Sequence, residues 1–131
     1  MPVDLADYTR LIRDTLKRGR FCCVYVAAVE SFCRIGYAED LNAAVPRLQR
    51  SSPSPVTVDS ALWVPDKGIA MVVARAVQCD LAPHQKPGGW FDTTADRATV
   101  ALGIAAFRIY PSAIMVWHNQ LIDQWRARGA A

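Results

Sequence analysis

The feature that most constrains this sequence is an apolar run, FCCVYVAAV, at residues 21–29. The run contains β-branched and aromatic residues and no charged side chain, which predicts a mostly buried strand. A short turn at Glu30 and Ser31 separates it from a second apolar segment, FCRIGY, at residues 32–37. Because the gap is so short, the two segments are expected to form a hairpin, and at least part of the sheet is expected to be antiparallel.

Helical spacing of apolar residues, together with capping residues, predicts helices around this hairpin. One of them, capped by Asp40, contains Pro46, so it must either start late or kink. Three short strands with segregated helices indicate the α+β class. The expected third strand covers residues 56–64, and the expected helices cover residues 4–18 (capped by Asp4), 40–49, 69–82, 94–108 (capped by Thr93 or Thr94) and a last segment from Pro111.

The composition fits one globular domain. The chain has 131 residues, of which 52% are apolar and 21% charged, enough for a core without disulfides. No apolar run approaches the length of a membrane span, which argues against a transmembrane protein. The first residues, MPVDLADYTRLIRD, lack the basic and apolar regions of a signal peptide, so a cytoplasmic location is expected.

We expect a single domain over residues 1–131, with an N-terminal helix at 1–19, a core at 20–102 and a C-terminal helical extension at 103–131.

The cysteines and histidines lack the spacing of a metal site. No C-x-x-C pair occurs, and His84 and His118 stand far apart, so a zinc site is not expected. In a reducing compartment the cysteines are expected to be small core residues. Alternation along a strand would bury only one of the adjacent Cys22 and Cys23.

The net charge of +3 permits an anionic partner without requiring one. Two interpretations stay open for the basic residues near the start of the chain, a solvated helix face or a stripe that contacts phosphates. These residues are Arg10, Arg13, Lys17, Arg18 and Arg20.

Short motifs in a fixed order resemble those of a known superfamily. VYV at residues 24–26 stands where that family has GIY, and RIGYAEDL at 34–41 stands where one branch has a K-I-G-Y/R segment. LQRSSPSPV at 48–56 is similar to L-Q-x-G-x-P-x-P, and HQKPGGWF at 84–91 is similar to a helix and loop ending in G-E-W-F. On these motifs the chain resembles the GIY-YIG nuclease superfamily, in particular its T5orf172-like and meiotically-upregulated-gene-113-like branch. The resemblance implies a small three-stranded antiparallel sheet flanked by helices.

The resemblance implies cleavage of the DNA backbone with a divalent metal, by an arginine, one or two tyrosines and a metal-binding glutamate. The family's arginine position falls on Ala44 and its glutamate position on Ala74. The chain is therefore expected to be catalytically inactive, with no metal site and no cofactor. If it is active instead, the resemblance implies Mg²⁺ as cofactor and, as catalytic residues, Tyr25, Tyr37 and Arg47, the last one turn beyond the family's arginine position.

Three functions stay open. An inactive GIY-YIG-like domain would bind DNA through a basic face at Arg34, Arg47 and Arg50. A divergent metal-dependent DNA endonuclease would use the catalytic residues named above. A small interaction domain would bind a second copy or another protein through its last helix, where one face is expected to carry Trp117, Leu121 and Trp125.

Overall fold

The structure is a computed structural model that describes residues 2–129. In that range the helices are α1 (Arg10–Arg18), α2 (Leu41–Arg50), α3 (Lys67–Asp80), α4 (Ala95–Ile109) and α5 (His118–Gly129). The strands are β1 (Cys22–Val29), β2 (Phe32–Ala38), β3 (Thr57–Val64) and β4 (Val116–Trp117). None of these helices has both the length and the apolar character that crossing a bilayer requires.

Strand β1 lies at the centre of the sheet. It pairs antiparallel with β2 on one side and with β3 on the other, and the order across the sheet is β2-β1-β3-β4. The predicted hairpin is confirmed, with Val29 paired to Phe32 across the turn. The α+β class is confirmed as well. The sheet has a fourth strand that was not predicted, however, because Trp117 of β4 pairs with Leu62 of β3.

Both faces of β1 are buried, because helices cover the sheet on each side. Val24 and Val26 pack in one core with α3 and α4, whereas Cys23 and Tyr25 pack in a second core with α1, α2 and α5. Successive residues of a strand point to opposite faces, so burial of both faces requires apolar side chains at every position. This explains the unbroken run and corrects one expectation, since Cys22 and Cys23 are both buried, with 1% and 0% of their surfaces exposed.

The first and last helices begin later than predicted. Helix α1 begins at Arg10 and not at residue 4, and Thr9 caps it in place of Asp4. Helix α5 begins at His118 and not at Pro111. In each case tertiary contacts hold the segment before the helix in another conformation. Residue 3 bonds to β3 through its backbone N–H, and residues 116–117 form β4.

The middle helices lie close to their predicted positions. Asp40 caps α2, which begins at Leu41 and contains Pro46, so the alternative of a late start is wrong. Thr94 caps α4 by accepting a hydrogen bond from the backbone N–H of Arg97. Helix α4 continues past residue 102, where the boundary of the predicted C-terminal extension was placed.

Gly36 makes room for the buried ring of Tyr25. The two residues are paired across β1 and β2, and Tyr25 is only 8% exposed. A Cβ atom at position 36 would overlap the hydroxyl oxygen and Cζ of Tyr25. The ring therefore crosses β2 at a position that only glycine can occupy without a shift of the neighbouring atoms.

A buried histidine joins the first residues of the chain to α5. His118 is 1% exposed, and the indole N–H of Trp63 donates to its Nδ1 at 3.1 Å. Since Nδ1 accepts, the ring proton lies on Nε2, which donates to the carbonyl oxygen of Asp4 at 2.8 Å. Burial lowers the pKa of His118 from its ordinary value of 6.5, against the opposing effects of the Asp4 carbonyl and carboxylate. A second proton would also set two N–H groups against each other, so the imidazole is neutral in the fold.

We expect the free energy of unfolding to fall as the pH is lowered from about 7.5 to about 5. The unfolded chain binds a proton at His118 near the ordinary pKa of 6.5, whereas the folded chain binds it only at lower pH, so protons favour unfolding in this window. Urea titrations at both pH values compare the wild type with His118→Gln. The variant is expected to be less stable at the higher pH and to depend less on pH. An equal pH dependence in the two proteins would contradict the role given to His118.

Gly36→Ala is expected to lower the free energy of unfolding by about 1–3 kcal/mol, because the added Cβ meets the ring of Tyr25. Tyr25→Ala removes that obstacle, so the glycine substitution is expected to cost much less in the Tyr25→Ala background. A double-mutant cycle, measured by chemical denaturation, gives the coupling energy between the two positions. Additive costs would show that the ring does not constrain position 36.

Candidate nucleic-acid interface at the edge of the sheet

The basic residues singled out in the motifs lie along the outer edge of the sheet. Arg34 is on β2, which is an edge strand, and Arg47 and Arg50 are on α2, the helix that follows it. Helix α2 packs on the same sheet face as Tyr25. We call Arg34, Arg47 and Arg50 the basic edge.

Each guanidinium group of the basic edge donates to a backbone carbonyl oxygen. The donors and acceptors are Arg34 Nη1 to Gly88 at 3.3 Å, Arg47 Nε to Ala43 at 3.3 Å and Arg50 Nε to Pro46 at 3.4 Å. Among residues 2–129, no carboxylate forms an ion pair with any of the three. A neutral partner orients a guanidinium group but leaves its charge uncompensated. The basic edge therefore has three positive charges with which to attract an anion.

Arg34 is held by the loop between α3 and α4. Its guanidinium carbon lies 5.9 Å from the ring centroid of Trp90, a cation–π arrangement, while its Nη1 donates to Gly88. Gly88 and Gly89 both have a φ of 83°, a conformation that favours glycine. The loop thus fixes the direction of the half-buried Arg34 side chain.

The contact of Arg34 with this loop could not be predicted from the sequence motifs. Residues 34 and 88–90 are far apart in the chain, and neither segment alone indicates that they meet. The two adjacent glycines before Trp90 were a usable signal, because paired glycines often mark a turn with positive φ.

The hydroxyl group of Tyr25 is close enough to the basic edge to be influenced by it. Burial raises the pKa of Tyr25 above its ordinary value of 10.0, and the charges of Arg34 and Arg47 offset this only in part. The phenol therefore keeps its proton at neutral pH. A general base must first lose its proton, so a raised pKa disfavours Tyr25 as the base of a nuclease reaction.

Tyr37 and Arg47 border one cavity. Tyr37 follows Gly36 and so points to the opposite face of β2 from the ring of Tyr25. It is 39% exposed and lines a cavity of about 470 Å³ together with Arg47, Lys17 and Lys67. The structure thus brings Tyr37 and Arg47 to one cavity, while Tyr25 is buried in the core.

The two positions at which the resemblance places catalytic groups lie on opposite faces of the sheet. Ala44 is 3% exposed and packs in the core beneath α1, α2 and α5, whereas Ala74 is 2% exposed and packs in the core beneath α3 and α4. Side chains at these positions face different cores, so they do not share a catalytic centre. Within residues 2–129, no three imidazole, thiol or carboxylate groups come close enough to hold a metal ion. Mg²⁺ is usually bound by one or two carboxylates together with water and phosphate oxygens, and Ala74 stands where the resemblance implies that carboxylate.

The basic residues of α1 are partly neutralised. Arg13 and Lys17 both pair with Asp40, at 3.0 Å and 3.5 Å, and Arg10 lies 3.8 Å from Asp14. Burial acts to raise the pKa of Asp40, but hydrogen bonds from Arg13 and the backbone N–H of residue 42 outweigh it and leave the pKa lowered. Of the two interpretations of this segment, these contacts favour a solvated helix face over a phosphate-binding stripe.

The three residues of the expected protein interface do not share one face. Trp117 is in β4 and packs against the core beneath α3 and α4. Leu121 and Trp125 are on α5 and pack against the other core. All three are half-buried, so the apolar stripe expected on the last helix is largely used within the fold.

The resemblance to the GIY-YIG superfamily rests on short motifs and their order. No family model, curated protein or solved structure matches this chain. The function therefore has to be inferred from the chemistry of the site.

Proposed function

We propose that this chain is a GIY-YIG-like domain that binds nucleic acid through the basic edge and does not cleave it. The observation that carries the proposal is the bonding of Arg34, Arg47 and Arg50 to neutral carbonyl oxygens. Guanidinium groups with free charge bind phosphate well, because their planar donors match its oxygen atoms. With a net charge of only +3 on the chain, the affinity would come from this local cluster and would depend strongly on salt.

Binding without cleavage is supported by the residues found at the positions where the resemblance implies catalytic groups. Ala44 and Ala74 cannot supply a charged group, and they belong to different cores. Tyr25 keeps its proton, since burial raises its pKa. Loss of one essential catalytic group commonly costs a factor of a thousand or more in rate, so loss of several leaves little activity.

Labelled DNA is expected to bind the chain with an affinity that falls steeply as salt is raised. Arg47→Gln and Arg50→Gln should each weaken binding and reduce the slope of log Kd against log salt by about one, because each removes one phosphate contact. Fluorescence anisotropy across a salt series measures both effects. Arg75→Gln is the matched control, since Arg75 is exposed on α3, on the other side of the sheet. No binding at low salt, or an equal loss in the control, would refute the proposal.

The same mixtures, incubated with Mg²⁺ and run on a denaturing gel, are expected to contain intact DNA. The physical reason is that Ala74 stands where the resemblance implies the metal-binding glutamate, so this position offers no carboxylate to hold Mg²⁺. Cleavage that disappears in Tyr25→Phe would show that the domain is a nuclease. Cleavage that persists in both Tyr25→Phe and Arg47→Ala would point to a contaminating enzyme.

Self-association is a second candidate function, and a different observation favours it. Seven of the nine large exposed hydrophobic side chains in residues 2–129 lie between positions 71 and 114. Five of them form what we call the outer α3–α4 face. They are Met71, Val72, Val100, Ile104 and Phe107.

The size of the outer α3–α4 face fits a second copy of the chain. Its five side chains expose on the order of 500 Å² of surface, which is in the upper part of the range for the largest apolar patch of a monomer, a kind of patch that is often functional. A standard interface buries about 800 Å² on each partner, of which about 56–65% is apolar. Exposed charged residues of both signs lie on the same two helices, namely Arg75, Arg97 and Asp96.

Ile104→Glu is expected to shift the chain from dimer to monomer, because it places a charge within the outer α3–α4 face. Analytical ultracentrifugation over a range of concentrations measures the change. Leu11→Glu is a matched control, since Leu11 on α1 is 59% exposed and Ile104 is 57% exposed. A monomeric wild type at high concentration would rule out this candidate.

A further inference from the structure

A second feature lies beside the basic edge, a cavity with aromatic walls at the turn end of the β1–β2 hairpin. It has a volume of about 360 Å³, and three separate segments line it. The hairpin contributes Val29 and Phe32, the loop after α2 contributes Pro53, and the loop between α3 and α4 contributes Lys86 and Trp90. We call it the aromatic cavity.

The walls of the aromatic cavity suit a flat, weakly polar group. Phe32 and Trp90 are both half-buried aromatic residues, and Lys86 is the charged residue among those that line the cavity. The volume is at the lower end of the range for small-molecule sites. A single planar ring system therefore fits better than an extended ligand.

Hydrogen bonds hold the two loops that form the cavity. In the loop between α3 and α4, the backbone N–H of Lys86 donates to the carbonyl oxygen of Trp90 at 2.8 Å, and residues 33 and 91 exchange two backbone hydrogen bonds. In the loop after α2, Gln49 accepts from the backbone N–H of Val56 at 2.8 Å and donates to the carbonyl oxygen of residue 54. The walls are thus formed before any ligand arrives, which reduces the entropic cost of binding.

A residue of the basic edge contacts a residue that lines the aromatic cavity. The guanidinium group of Arg34 lies over the ring of Trp90, which lines the cavity. Arg50 is the last residue of α2 and directly precedes the loop that supplies Pro53. Positive charges therefore lie next to the aromatic cavity. Proteins that bind single-stranded nucleic acids combine positive charge with aromatic side chains in this way.

We propose that the aromatic cavity receives an unstacked base of a single-stranded nucleic acid whose phosphates lie on the basic edge. This inference rests on the proposed function and specifies its substrate class. A paired base in a duplex must first be extruded at a cost in free energy, so a single strand binds in preference to a duplex. Because aromatic and aliphatic side chains form most of the wall, recognition is by stacking and tolerates different bases.

The first experiment compares three fluorescein-labelled ligands of equal length with the full chain at one salt concentration. These are an oligothymidylate, an abasic strand and a duplex. The oligothymidylate is expected to bind about tenfold more tightly than the abasic strand, and more tightly than the duplex. Trp90→Ala is expected to abolish the difference between intact and abasic strands, and Trp90→Phe is expected to keep most of it. Leu11→Ala is the control, since Leu11 is an exposed apolar residue on α1 to which no binding role is assigned.

A second measurement uses the wild-type chain and so does not depend on a variant that folds. A strand containing 5-iodouracil is cross-linked by light, and the attached residue is mapped by mass spectrometry. Cross-links at Trp90 or Phe32 are expected. Cross-links confined to Tyr37 or Phe107 would place the base elsewhere and overturn the inference.

The outcomes separate this inference from the function on which it rests. Equal affinity for the intact and the abasic strand overturns the base-binding role of the cavity and leaves phosphate binding by the basic edge standing. Failure of every ligand to bind at low salt overturns both. Tighter binding of the duplex than of the intact strand overturns the preference for single strands.

Discussion

Burial of β1 on both faces is the constraint on which the rest of the structure depends. Its side chains alternate between two cores, so helices must cover the sheet on each side. Helices α3 and α4 close one core, and α1, α2 and α5 close the other. The polar group that β1 does carry into the second core, the phenol of Tyr25, lies over a glycine of the neighbouring strand. A strand surrounded in this way cannot present charged chemistry to solvent.

Charged groups are therefore displaced to the periphery of the sheet. Arg34 is on the edge strand β2, and Arg47 and Arg50 are on the outer surface of the helix that follows it. The aromatic cavity is at the same edge, where the hairpin turn meets two loops. Both proposed binding features thus arise where the layered packing ends, because only there can a side chain be oriented by the fold and still reach a ligand.

The parts of the fold that could be predicted are those with a local cause. The hairpin followed from two apolar segments and a short turn, and the cap of α2 followed from Asp40. The start of α5 could not be predicted, because Val116 and Trp117 are drawn into pairing with β3, a segment distant in sequence. Residues 4–9 have helical spacing, yet Tyr8 packs against His118 in the fold instead of continuing α1.

The candidate site, too, has parts that could be predicted from the sequence and parts that could not. The motifs predicted Arg34 and Arg47 as site residues. Both lie near the hydroxyl group of Tyr25, and their charges influence its pKa. The placement of Ala44 and Ala74 on opposite faces depends on which side of the sheet each helix packs, and the spacing of motifs does not contain that information. The aromatic cavity could not be predicted from the sequence either, because its walls come from three separate segments.

The contact between Cys33 and Phe91 has a consequence for how molecules of this protein meet one another. The outer side of an edge strand normally offers free N–H and C=O groups to which another chain can add a strand. Here Phe91 occupies both backbone groups of Cys33, and the side chain of Gln78 occupies the carbonyl oxygen of Ile35. At the other side of the sheet, β4 is only two residues long. Both borders are thus poor templates for strand addition, which protects the sheet from growing into aggregates.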